Sequence, residues 1–114
     1  MRNFGLLVLA LAGAAAPAFA ADQNGYQSIV SGDLASAERA IVAEQRVYPA
    51  RPELMLNLAA VYRRTGRMAE ARTLYMKVLE RRPVAMDLPS GAVASSHDLA
   101  RRALGTGSVQ IATR

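Results

Sequence analysis

The sequence of 114 residues contains no cysteine. No disulfide can staple the chain, no thiolate can grip a metal, and no N-terminal cysteine can carry a lipid. Histidine is nearly absent too. His97 stands alone, with Asp98 as its close acid, and one imidazole among scattered carboxylates does not make a transition-metal site. Asp22, Asp33, Asp87 and Asp98 are too widely spread for a calcium-binding loop. A glycine-rich phosphate loop is missing, and Gly32 and Gly66 read as turn glycines. Ser95 and Ser96, next to His97, mark a helix start. A nucleophile would need an orienting base and oxyanion donors that the sequence does not place beside them. The expectation is a chain that is not an enzyme, with no catalytic residue, no cofactor and no metal ligand.

What is present begins with an export signal. Arg2 gives a charged start, residues 4–16 are apolar and uncharged, and Ala18-Phe19-Ala20 offers small residues at the two positions a signal peptidase reads. The run is shorter than the roughly 20 residues a membrane span needs. Cleavage is expected after Ala20, which makes 1–20 a removable signal and the periplasm the destination. Loss of Arg2 leaves 13 basic and nine acidic side chains, so the net charge falls from +5 to +4. An exported protein does not meet nucleic acid, so this mild basicity is not a nucleic-acid signature. What remains is a short chain, and a domain this small has a thin core.

Two segments repeat at an offset of 34 residues: Gly32 with Gly66, Leu34 with Met68, Ala37 with Ala71, Ile41 with Tyr75, and Pro49 with Pro83. That is the period of helix–turn–helix arrays. In the second unit, 52–83, Pro52 suits a first helical turn and Glu53 the positive end of the helix dipole. Leu54, Leu58, Val61 and Tyr62 share one face, and Gly66 can end the helix in the left-handed conformation. A second helix from about Met68 carries Ala71, Leu74, Tyr75, Val78 and Leu79 on one face, and Pro83 stops it. In the first unit, 22–49, Asp33 can cap a helix whose face holds Leu34, Ala37, Ala40, Ile41 and Tyr48. A short helix near 23–31 precedes it, with Tyr26, Ile29 and Val30 as its apolar side. The four tyrosines are expected in the core.

Beyond Pro83 the pattern changes. Residues 84–90, with Pro89, are expected to form a loop. Residues 96–104 read as a further helix with Leu99, Ala100, Ala103 and Leu104 on its apolar side, ended by Gly105-Thr106-Gly107. The tail is 105–114, and its residues 108–114 are expected to fray, although Val109 and Ile111 alternate as in a short strand. The domain proper is thus 21–104.

Met55, Leu58, Ala59, Tyr62, Gly66, Ala71, Tyr75, Val78 and Pro83 fall where a tetratricopeptide repeat has its signature residues. The stretch 52–83 resembles one such repeat, with Met55 in place of an aromatic and Val78 in place of Ala. The earlier unit resembles it in its second half, through Gly32, Ala37, Ile41 and Pro49, and has Ser28 where Tyr is usual. The resemblance implies an all-α fold: two antiparallel TPR-like helical hairpins plus a C-terminal capping helix, a short α-solenoid whose units are stabilised by stacking. It also implies a non-catalytic protein–protein interaction module of the periplasm or cell envelope. Its site would be a concave surface lined by Glu53, Leu56, Asn57, Ala60 and Arg64, with Asn57 contacting the backbone of a bound segment. The expected partner is another envelope protein or a peptide segment of one, and self-association is a second expectation. The arginine pairs 63–64, 81–82 and 101–102 lie near helix ends, where each complements the dipole by about 0.3–1 kcal/mol. The alternative is a basic protein of the membrane surface, making weak, salt-sensitive contact with anionic lipid through Arg63, Arg64 and Arg67.

Overall fold

The computed structural model describes residues 22, 24–107 and 109–114. The expected signal, 1–20, lies outside them. The elements are α1 (Tyr26–Ser31), α2 (Leu34–Val47), α3 (Pro52–Arg64), α4 (Met68–Leu79), β1 (Ala85–Asp87), β2 (Val93–Ser95) and α5 (Ser96–Thr106). The fold is mostly helical, as expected, but it also contains a small two-stranded sheet.

Local chemistry explains the boundaries. Asp33 caps α2 by accepting a hydrogen bond from the Ser36 amide at 3.1 Å, and this holds its carboxyl below the usual carboxylate range. Gly32 ends α1 with φ of 83°. Gly66, with φ of 80°, makes the turn after α3. Both backbones sit in the left-handed region that glycine enters without penalty. Pro52 opens α3. The last hairpin helix stops at Leu79, four positions before Pro83. The Ser95 hydroxyl caps α5 by accepting from the His97 amide at 3.2 Å.

Helices α1 and α2 form one hairpin and α3 and α4 a second. Helix α3 packs on α2, and α5 packs on α4 and α3. Two apolar clusters meet at α3. Ile29, Ala37, Ile41, Leu54, Leu58 and Val61 form the first. The second joins Met55, Leu56 and Ala59 to Tyr75 and Val78 of α4 and to Leu99 and Ala103 of α5. Tyr62 touches both. As a result every residue from Leu54 to Val61 is buried, the pattern of a helix enclosed on all sides.

Three sequence expectations need correction. Residues 84–90 are not simply a loop: β1 pairs antiparallel with β2, Ala85 opposite Ser95 and Asp87 opposite Val93. A three-residue strand beside a proline gives too short a period to read, and Met86 is its one buried position. The segment 109–114 is not frayed. It runs back across α3 and is held by the side chains of Asn24 and Asn57 and by the main chain of Asp87. Tyr48 is not in the core: it follows the last turn of α2, exposed, with the Arg51 guanidinium 3.7 Å above its ring.

Candidate functional site

An asparagine in the middle of a buried helix must satisfy a side-chain amide away from water. Asn57 is fully buried. Its Nδ2 donates to the carbonyl of Asn24 at 2.9 Å and to that of Ala112 at 2.9 Å. Its Oδ1 accepts from the Ala112 amide at 2.8 Å. In extended backbone, the N–H and C=O of one residue point to the same side, as in the hydrogen-bonded pairs of an antiparallel ladder. The Asn57 amide therefore meets Ala112 as a neighbouring strand would. Two acceptors around one end of the amide and an N–H at the other also fix which end is nitrogen.

Two further groups hold the same segment. Asn24 Nδ2 donates to the Thr113 carbonyl at 2.8 Å. Asp87, at the end of β1, accepts from the Thr113 amide at 2.9 Å and donates its own amide to the main-chain oxygen of Arg114 at 3.1 Å. The Thr113 hydroxyl donates to the Asp87 carbonyl at 3.0 Å. Side chains complete the seat. Ala112 has no exposed surface and belongs to the cluster of Leu56, Met86 and Leu99. Ile111 packs on the cluster of Ile29, Leu54 and Val61.

The residues expected to line a groove do converge here. Glu53 borders a cavity with Asn24, Thr113 and Arg114, and its carboxylate lies 3.7 Å from the Arg51 guanidinium. Ala60 and Arg64, with Ile29, Val109 and Ile111, line a cavity of about 410 Å³ at the other end of the segment. Leu56 is 1% exposed and Ala60 fully buried, so neither is an open contact while 109–114 is in place. Arg64 Nη1 donates to the Ile29 carbonyl at 3.2 Å, at the end of α1.

Sequence reasoning placed Asn57 but missed what it holds. Asn24, Ala112 and Thr113 were not singled out, and Asp87 was weighed only as a calcium ligand. The signals were the polar interruption at Asn57 in an otherwise apolar run and the alternation of Val109 and Ile111. Asp22, also missed, accepts from the Gln27 amide at 2.8 Å and from the Ser28 amide at 3.2 Å. It thereby fixes the start of α1 next to Asn24. Ser28, where the repeat pattern has Tyr, donates its hydroxyl to the same carboxylate.

Arg63 and Arg67 make contacts within the fold. Arg63 Nη1 donates to the Ala103 carbonyl of α5 at 3.0 Å. Arg67 meets the Glu38 carboxylate with two bonds of 2.8 and 2.7 Å, and its guanidinium lies 4.2 Å from the Tyr62 ring centre. That hydrogen-bonded arginine holds Glu38 below the usual carboxylate range. His97 Nε2 sits 2.6 Å from the Arg81 carbonyl. Among the described residues, no helix is long and apolar enough to cross a membrane.

Comparison with known proteins finds no family model that matches the sequence, and neither a curated protein nor a solved structure matches it.

Proposed function

We propose that this chain is a non-catalytic interaction module of the bacterial cell envelope that holds an extended segment of another envelope protein on the Asn57 face of α3. The observation that carries the reading is the Asn57 amide, which engages both the N–H and the C=O of one residue as a neighbouring strand would. Recognition of main chain by a buried amide suits a ligand whose backbone is extended, whatever its sequence. Glu53, Leu56, Ala60 and Arg64 are the remaining residues of the surface. In this reading the hairpins α1–α2 and α3–α4 are tetratricopeptide-type units stacked as a short α-solenoid, and α5 is their cap. The 34-residue offset and the signature residues of 52–83 support that assignment. Periplasmic placement, with cleavage after Ala20, rests on the pattern of residues 1–20. For a lipid-binding role, Arg67 is already paired with the Glu38 carboxylate, whereas Arg63 and Arg64 each donate to one main-chain carbonyl and keep their charge.

Affinity capture of the tagged protein from crosslinked envelopes tests the proposal, with an Asn57→Ala, Arg64→Ala double variant run alongside. One dominant protein partner that is lost in the double variant is expected. A partner retained by that variant would move the site away from this face. Recovery of lipid without any protein partner would sink the module reading.

A further inference from the structure

The Asn57 face is already filled by the protein's own segment 109–114, and the manner of filling describes a ligand. We infer that this segment is a resident occupant, and that the partner displaces it with an extended segment of the same pattern: a branched aliphatic residue, then alanine, then a hydroxyl residue. The inference rests on the reading of this face as a segment-binding surface.

Three observations carry it. First, most of the polar contacts are to main chain. Asn57 reads both backbone groups of Ala112, Asn24 reads the carbonyl of Thr113, and Asp87 reads the amide of Thr113 and the oxygen of Arg114. Any extended segment can supply these groups. Second, the side-chain requirements are local and specific. Ile111 needs the apolar cluster at α1 to α3, Ala112 sits where no surface is left for anything larger, and the Thr113 hydroxyl has an acceptor in Asp87. Third, the grip is confined to the end of the segment. Gln110 is exposed and Val109 half-buried, and Gly107, with φ of 73°, turns the chain out of α5. A short, locally held segment can leave while the helices stay packed, since stability is not uniform across a structure. A tethered occupant lowers the apparent affinity of a competitor by the fraction of time it occupies the site.

The test uses the full chain and a fluorescein-labelled synthetic peptide of residues 109–114 as probe. Ala112→Arg places a long charged side chain where the resident segment has no room for one, and so empties the site. The peptide is expected to bind this variant at least about tenfold more tightly than the unaltered protein. Adding Asn57→Ala should abolish that binding, and a peptide that itself carries Ala112→Arg should bind neither form. Thr113→Pro is the second variant. It removes the amide that Asp87 accepts from without altering the buried methyl group, and the same gain is expected. Equal binding to unaltered and variant proteins would overturn the inference, as would no binding to variants that keep their helical circular dichroism. Loss of helical signal in both variants would also overturn it, because the segment would then belong to the folding core. An envelope partner that is captured but not competed by the peptide sinks this inference alone. Peptide displacement with no envelope partner would show that the segment can be displaced, but it would sink the wider reading and with it the displacement by a partner.

Discussion

Tyr75 carries the one buried side-chain polar atom without a hydrogen-bond partner among the described residues, its hydroxyl. Burial pushes its pKa up, with Arg63 opposing, so the group stays protonated with a donor that has nowhere to go. An unsatisfied buried polar group costs about 1–3 kcal/mol. Tyr75→Phe keeps the ring in the cluster and removes the hydroxyl. It should raise stability by about 1 kcal/mol, seen in a thermal melt as a midpoint higher by roughly 5 °C for a domain of this size. A lower midpoint would mean that the hydroxyl is satisfied in solution. Asn57 is the opposite case, a buried polar side chain with three hydrogen bonds. Its helical address was legible in the sequence, because the apolar faces around it are regular. Its partner was not, because Ala112 lies 55 positions away and nothing local in an alanine announces a long-range contact.

At the scale of elements, α2 is tied to the turn between α3 and α4 by Glu38 and Arg67. The carboxyl is held below its ordinary value of 4.5. A carboxyl with a lowered folded-state pKa contributes stability that is fully present above its unfolded value and is lost as pH falls through the folded one. Asp33, also lowered from its ordinary 3.8 by capping α2, acts in the same direction. The urea midpoint should therefore fall between about pH 5 and about pH 3, and by less in Glu38→Gln. The pair is partly exposed, so added salt should shrink the difference. An identical pH profile for the variant would remove Glu38 from the account. Helices and their caps were the readable elements, because a 3.6-residue period over 12 to 14 residues and a capping side chain are local signals. The strands β1 and β2 have three residues each, too few for a period of two to stand out, and their pairing depends on a turn through Pro89 and Gly91.

At the scale of the molecule, the decisive contact joins regions far apart in sequence: Asn24 at the start, Asn57 in the central helix, Asp87 on the ribbon and residues 111–114. Stacked helical hairpins leave an outer face that needs a neighbour. Here the chain supplies that neighbour itself, which is why α3 is enclosed on all sides and why residues expected to be open are buried. The expectation of a fraying tail failed for the same reason, since a short segment beyond a glycine has little to hold it locally and is ordered by partners from elsewhere in the fold. The measurement that tests this most directly is amide hydrogen exchange at Ala112, in the unaltered protein and in Asn57→Ala. The account predicts an Ala112 amide slowed by at least about a hundredfold relative to an unstructured peptide, yet faster than the interior amides of α3. In the variant that protection should vanish while α3 and α4 keep theirs. An Ala112 amide that exchanges at the unstructured rate in the unaltered protein would contradict it.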